Sequence, residues 1–235
     1  MSRRVVGNPV ILTIDGISLL IGGYGIYGNI LTCVLPPHLA GGGHWQFLTN
    51  LSLIYSMVVF GLGFIAHLTK NQTLFALKNT IHPIGIALES IVALVYWPLR
   101  IWFIHLLAND PSLMMIPLSI DLSIHLMPIV SLLIDYLVFM PKWTIRNSTA
   151  LMICVVFTVC YWFLLKYLID LENGGLYPYA FLNVDTELQR AIMFSMVGLS
   201  AFCQFLSLRK LYDAIVGVTE EASAEIDHKL AKKNI

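Results

Sequence analysis

Six long apolar runs dominate this sequence of 235 residues, and each is long enough to cross a bilayer core, which needs about 20 helical residues. The runs fall near residues 10–34, 47–68, 84–107, 117–140, 148–169 and 191–212. Only 12% of the residues are charged, against about a quarter in a soluble domain, so the chain cannot cover a globular surface in water. We therefore predict an all-α integral membrane protein, in which residues 1–217 form a bundle of six transmembrane helices and residues 218–235 a charged cytosolic tail.

The placement of basic residues indicates the orientation of the bundle. Lys and Arg occur at the N-terminus, in the second and fourth loops and in the C-terminal segment, whereas the first and third loops carry none. Cytosolic loops are the ones enriched in Lys and Arg. We therefore expect both termini in the cytosol, and this assignment puts the second loop, which carries Lys70 and Lys78, on the cytosolic side.

The last four residues predict a location. The chain ends Lys232-Lys233-Asn234-Ile235. Lysines at the third and fourth places from the carboxyl end resemble the dilysine retrieval signal of endoplasmic-reticulum membrane proteins. We therefore expect residence in the endoplasmic-reticulum membrane, with a cytosolic coat protein as a partner; the alternative is an ordinary basic tail.

Composition also argues against several classes of function. The net charge is zero and no basic face with interleaved aromatic residues is visible, so nucleic-acid binding is not expected. The histidines make no metal-ligand spacing with one another or with acidic residues, so we expect no metal, and nothing in the sequence calls for a cofactor. The four cysteines all lie inside apolar runs, as small apolar side chains do.

Polar residues inside the runs share helical faces. They recur at spacings of three, four and seven, which place side chains on one side of a helix. The sets are Asp15, Ser18, Gly22, Gly25 and Asn29; Thr49, Ser52 and Ser56; Glu89, Tyr96 and Arg100; and Asp121, His125 and Asp135. Ionisable groups at membrane depth usually face a partner or a cavity, so we predict a bundle with a polar interior.

Depth divides these groups between the two leaflets. Counting from the helix ends places Thr49, Arg100, Asp121 and His125 in the luminal half, and Asp15, Glu89 and Asp135 in the cytosolic half. A threonine hydroxyl becomes a nucleophile when a base takes its proton, a neutral histidine is such a base, and a carboxylate can orient the imidazole. The alternatives are that Thr49 only caps its helix and that His125 only bonds between helices.

Two stretches contain these residues in a recognisable order: HWQFLTNLSL at 44–53, before a long apolar run, and DLSIHLMPIVSLLIDYLVF at 121–139. Shorter pieces accompany them, namely YWPLR at 96–100, FMPKW at 139–143, YPY at 177–179 and FLN at 181–183. The ordered set, spanning about residues 44–185, resembles the androgen-induced protein / FAR-17a family of membrane proteins, particularly its fungal members.

The resemblance implies an activity and a site. Members of that family are multi-pass threonine hydrolases of fatty acid esters of hydroxy fatty acids, which implies Thr49 as nucleophile and His125 as base. Beside the resemblance, we expect Asp121 to orient His125, and Arg100 either to hold the free carboxylate of the substrate or to neutralise an internal acid (Glu89 or Asp121). Candidate donors to the oxyanion are Asn50, Tyr96 and a backbone N–H near Thr49.

Two other classes of function stay open at this point. A transporter could use Asp15, Glu89, Asp135 and Arg100 as a relay, although such proteins usually show repeated halves, and no repeat is visible here. A non-catalytic membrane scaffold would use its polar faces only to hold helices together.

Overall fold

The computed structural model describes residues 4–108 and 116–217. Within these residues there are helices and no strands, and six of the helices are long and apolar enough to span a membrane. They are α1 Pro9–Thr32, α2 Leu48–Thr69, α3 Gln72–Trp102, α4 Leu118–Phe139, α5 Asn147–Leu168 and α6 Glu187–Gly217. The predicted fold class is confirmed, whereas the cytosolic location of the termini stays a prediction. The tail at 218–235, with Lys232 and Lys233, lies outside the described residues.

Helix ends follow local capping chemistry. Asn8 accepts a hydrogen bond from the N–H of Val10 at the start of α1 (2.9 Å), and the Asn71 side chain likewise caps α3. Thr186 begins α6 with a reciprocal capping box to Gln189. The residue before α2 is Phe47, whose side chain does not cap the helix. The hydrogen-bond partner for this helix end comes instead from a distant loop.

The helices form two groups. α1 packs against α2 and α4, and α2 and α4 both pack against α3, which closes a four-helix bundle. α5 and α6 pack against each other, and α6 packs against α3. Most of the α5 and α6 surface is not buried inside the chain, which fits helices that face lipid.

Small residues allow α1 to approach α4 closely. A Cβ added at Gly25 would lie 2.8 Å from the Ile124 side chain, and one at Gly28 would lie 2.6 Å from Ile120. The glycines of α1 therefore serve close helix packing, as expected for small residues in membrane bundles.

The third helix differs from the prediction. It begins at Gln72, twelve residues before the predicted start near residue 84, and its length of 31 residues corresponds to about 46 Å at 1.5 Å per residue. The assignment of Lys78 to a solvated loop was wrong. Lys78 lies in α3, is fully buried and pairs with Asp135 of α4, so its charge does not count toward the orientation of the bundle.

The fourth helix is interrupted. It consists of an α-helix at Leu118–His125, a second at Met127–Ile134 and a π-helical turn at Asp135–Phe139. Pro128 has no N–H to donate to the preceding turn, so the break falls just before it. The break separates the face that carries His125 from the one that carries Asp135.

Three loops cover the end of the bundle where α2 begins. The first contains short helices at Pro37–Ala40 and His44–Gln46, the third one at Ile104–Leu107, and the fifth one at Ala180–Leu182. The N–H of Leu176 donates to the carbonyl of His38 (3.0 Å), which ties the fifth loop to the first. These loops roof the cavity described next.

Candidate active site

A cavity of about 270 Å³ lies at this end of the bundle, below the three loops. Five of the six predicted site residues contribute to its wall: Thr49, Asn50, Tyr96, Arg100 and His125. The sixth, Asp121, bonds directly to His125. The structure therefore gathers this predicted set, drawn from α2, α3 and α4, around one space, which we call the polar cavity.

Thr49 is the second residue of α2 and is largely buried. The backbone N–H of Leu48 donates to the hydroxyl of Tyr179 (3.1 Å), and the Thr49 side chain also interacts with that hydroxyl. Burial raises the pKa of Tyr179, more than its hydrogen bonds lower it, so the phenol keeps its proton. Tyr179, from the fifth loop, thus supplies the cap that α2 lacks and sets the surroundings of the Thr49 hydroxyl.

His125 is held in one orientation by three contacts. Its Nδ1 lies 2.7 Å from Oδ1 of Asp121, its ring stacks on Tyr96 with centroids 3.4 Å apart, and its carbonyl accepts from the indole N–H of Trp97 (3.3 Å). A carboxylate is an acceptor only, so the proton of the neutral imidazole is assigned to Nδ1. Nε2 is then unprotonated and can act as a base.

Asp121 is the centre of a small network. Besides bonding to His125, Asp121 interacts with the hydroxyl of Tyr96, and Nε of Arg100 lies 3.9 Å from Oδ2 of Asp121. The sequence predicts that Asp121 orients His125, and in the structure the contact between these two side chains is direct. Since Tyr96 stacks on the ring of His125 and its hydroxyl interacts with Asp121, we assign Tyr96 to positioning rather than to an oxyanion.

Asn50 is fully buried and joins three elements. Its Nδ2 donates to the carbonyl of His44 (2.7 Å), and its Oδ1 accepts from Nδ2 of Asn29 (2.7 Å). Because the His44 carbonyl can only accept, this pair fixes which end of the amide is nitrogen. His44 itself lines the cavity, and partial burial lowers its pKa.

Arg100 contacts Asp121 only loosely and about a third of its side chain is exposed. The sequence offered Glu89 and Asp121 as internal partners for Arg100, and in the structure the partner is Asp121. Glu89 instead accepts a hydrogen bond from the Ser56 hydroxyl (2.9 Å). Much of the guanidinium is thus left at the cavity wall.

The other predicted intramembrane acids lie elsewhere. Asp135 pairs with Lys78, lies 3.5 Å from Nε2 of His82 and interacts electrostatically with Asp15, near the opposite end of the bundle. We call these four residues the Lys78 cluster. Within 4–108 and 116–217, no three His, Cys, Asp or Glu side chains are grouped as a metal site would require.

Sequence reasoning missed two contributors to the site. Tyr179 lies 130 residues beyond Thr49, and Trp97 contacts only the backbone of His125. Both belong to short pieces that carried the family resemblance, YPY and YWPLR, but nothing in their local pattern indicates which helix they contact.

Comparisons with known proteins agree with this architecture. The FAR-17a/AIG1-like protein family model matches residues 19–213. The UPF0641 membrane protein YHR140W of Saccharomyces cerevisiae is 31% identical over 225 residues, covering 89% of this chain and 93% of that protein. The UPF0641 membrane protein PJ4664.05 of Schizosaccharomyces pombe is 28% identical over 171 residues, covering 73% of this chain and 76% of that protein. No solved structure gave a significant match. The match extends over most of the helical bundle, and the chain is a multi-pass membrane protein of the FAR-17a/AIG1-like family.

Proposed function

We propose that this protein is an intramembrane lipid-ester hydrolase that uses Thr49 as nucleophile and His125 as base. Its substrates are fatty acid esters of hydroxy fatty acids or related lipid esters. The observation that carries the proposal is the polar cavity: a threonine and a histidine 76 positions apart in the chain line one space, and a buried aspartate holds the histidine. A carboxylate, an imidazole and a hydroxyl are the groups that acyl transfer requires.

The reaction would proceed in two steps. In the first, Nε2 of His125 takes the Thr49 proton while Oγ1 attacks the ester carbonyl; the bond to the alcohol oxygen then breaks, and His125 returns the proton to that oxygen. The products are a free hydroxy acid and an acyl-threonine. In the second, His125 takes a proton from water, the resulting hydroxide attacks the acyl carbon, and Thr49 regains its proton as the fatty acid leaves. Asp121 stabilises the charged imidazole in both steps.

The oxyanion would form at the start of α2. The N-terminal end of a helix carries a partial positive charge, which favours an anion. Thr49 is in this first turn, and the Tyr179 hydroxyl lies beside it with its proton retained. We assign the oxyanion donor to the Tyr179 hydroxyl at the positive end of α2, because the N–H groups of Leu48 and Asn50 already have acceptors.

Arg100 would recognise the free carboxylate of the substrate. A guanidinium binds a carboxylate through two parallel hydrogen bonds, which a lysine cannot reproduce. Its contact with Asp121, at 3.9 Å, is too long for a strong hydrogen bond, and the guanidinium lies at the cavity wall where a substrate carboxylate would bind.

The decisive experiment is active-site labelling. A fluorophosphonate probe should label the wild-type protein in membranes, and Thr49→Ala should abolish labelling, while Thr49→Ser should keep part of it because a hydroxyl remains. Thr80→Ala is the matched control, since Thr80 is an exposed threonine of α3 that bonds only to its own helix (2.9 Å to the Ala76 carbonyl). A transporter or scaffold would give no labelling of the wild type, or equal labelling of wild type and Thr49→Ala.

We also propose an endoplasmic-reticulum location, set by Lys232 and Lys233 and a cytosolic coat protein that reads them. Replacing both lysines by serine should move a tagged protein to post-Golgi membranes, whereas replacing the nearby Lys229 should not. Unchanged location of the double variant would contradict this assignment.

A further inference from the structure

Two narrow apolar hollows continue from the polar cavity into the membrane-spanning part of the protein. Their volumes are about 60 Å³ and 80 Å³, against about 270 Å³ for the polar cavity. Almost all of their accessible wall is apolar. They lie among α3, α5 and α6, on the side of α3 away from α1.

The three spaces adjoin one another in order, and Thr49 lies where the first hollow meets the polar cavity. The polar cavity and the first hollow share Thr49, Tyr96, Leu107 and Tyr179 as wall residues. The two hollows then share five further wall residues: Leu48, Ile91, Tyr161, Phe194 and Val197. We call the joined hollows the apolar channel; it begins at the proposed nucleophile.

The channel has the length of a long acyl chain. Along α3 its wall runs from Tyr96 to Pro83, which is about 20 Å at 1.5 Å per residue. One acyl chain spans about half of a 30 Å hydrocarbon core, or about 15 Å. The length of the channel therefore matches a long chain in extended form, and its apolar wall offers few partners for a polar headgroup.

We propose that the apolar channel binds the acyl chain of the ester substrate, while the polar cavity binds the hydroxy fatty acid with its carboxylate near Arg100. This assignment rests on the proposed function and specifies how the two halves of the substrate are placed.

The order of the reaction requires this placement. After the first step the acyl group is bonded to Thr49, so its chain must occupy a space that opens at Thr49 and can stay filled while the alcohol departs. The hydroxy acid carries the charged group and must leave first, which suits the wider cavity with Arg100 and the loops in its wall. Each half of the substrate thus meets the surface that matches its polarity.

Ala201 of α6 is the residue that tests the length of the channel. It lines the far hollow, and it lies seven residues beyond Phe194, or about 10 Å further along the helix. Ala201→Phe should fill this section and leave the section beside Thr49 open. Leu199→Phe is the control, because Leu199 is on the same helix, is 59% exposed and is absent from the channel wall.

The assay compares esters of one hydroxystearic acid that carry a palmitoyl or a butyryl group. Ala201→Phe should lower kcat/KM for the palmitoyl ester by about tenfold or more, the scale on which a pocket discriminates by chain size, and leave the butyryl ester unchanged. Leu199→Phe should change neither. Equal effects on both esters, or an effect that follows the length of the hydroxy acid instead, would overturn the assignment.

A binding measurement keeps the test independent of turnover and of the folding of Ala201→Phe. The Thr49→Ala protein is incubated with an ester probe whose acyl chain ends in a diazirine, and then irradiated. Labelled peptides should come from the far channel wall, around 150–154 of α5 and 201–205 of α6, and excess unlabelled ester should suppress the label. Label confined to lipid-facing residues would reject the channel. If the wild type hydrolyses neither ester but the channel is labelled, the proposed catalysis fails while the binding site stands.

Discussion

Removing the charge of Lys78 should destabilise the protein strongly. Its side chain is 0% exposed and that of its partner Asp135 is 1% exposed. Lys78→Met is close to isosteric, so the change removes the charge and keeps most of the volume. It leaves the Asp135 carboxylate buried beside His82 and Asp15 with no cation to balance it.

The expected cost is about 3 kcal/mol. Breaking a buried ion pair from one side costs about 3–5 kcal/mol, and the lower figure applies because Asp135 lies in the last turn of α4. For a chain of this size each kcal/mol shifts the melting temperature by about 2–4 °C, so Lys78→Met should melt about 6–12 °C lower. Replacing both partners, as Lys78→Met with Asp135→Leu, should recover most of that loss, because apolar pairs often substitute for buried ion pairs without cost.

Thermal unfolding in detergent, followed by size-exclusion chromatography, measures these shifts. Lys142→Met is the control: Lys142 and Asp213 also form an ion pair, at 2.6 Å, but their side chains are 46% and 54% exposed, so its loss should cost less than about 1 kcal/mol. The reasoning is refuted if Lys78→Met and Lys142→Met have the same melting temperature. It is also refuted if the melting temperature of the double variant is no higher than that of Lys78→Met alone.

Three further predictions concern the site. Asp121→Asn should lower kcat by about 10²–10⁴, with little change in melting temperature, because the amide no longer holds the required His125 tautomer; steady-state kinetics and a melting curve check both parts. Arg100→Lys should weaken turnover of free-acid esters far more than of their methyl esters, and equal losses would reject carboxylate binding. Tyr179→Phe should cost about 1 kcal/mol of stability because the partly buried Leu48 N–H loses its acceptor, which hydrogen exchange at the start of α2 would report.

Much of the fold and of the site could be predicted from the periodicity of apolar residues and from the positions of polar and charged ones. Runs of about 20 apolar residues predict spanning helices wherever the chain has them, and polar residues at helical spacing predict which face turns inward. The depth argument placed Thr49 and His125 in the same half of the membrane, and the structure puts both on the wall of one cavity. These are properties of a single helix, which a sequence can report.

Properties that depend on two distant segments were not predictable. The first turns of α3 are polar enough to resemble a loop. The buried charge of Lys78 is stabilised by Asp135, which lies 57 residues later in the chain. The cap of α2 comes from Tyr179 because Phe47 supplies no side-chain acceptor. In both cases the missing information is the identity of a tertiary partner rather than a local preference.

The polar residues of α3 link the two ends of the molecule. Lys78, His82, Glu89, Tyr96 and Arg100 follow one another at steps of four and seven, so they form one stripe about 33 Å long on one face of the helix. At both ends the stripe meets partners on α4, which fixes how far α3 can slide along that helix.

If α3 shifted by one helical turn along α4, the contacts at both ends of the stripe would break together. The shift would separate Lys78 from its acid at one end and move Tyr96 off the ring of His125 at the other. We therefore expect the Lys78→Met and Asp135→Leu double variant, with the polar contact at one end removed, to lose catalytic rate even though its stability recovers. Asp15→Asn, which changes the same cluster without touching the ion pair, should leave the rate as it is. Full activity in the double variant would mean that the apolar packing between α3 and α4 sets the geometry of the site by itself, and that the distant ion pair contributes only stability.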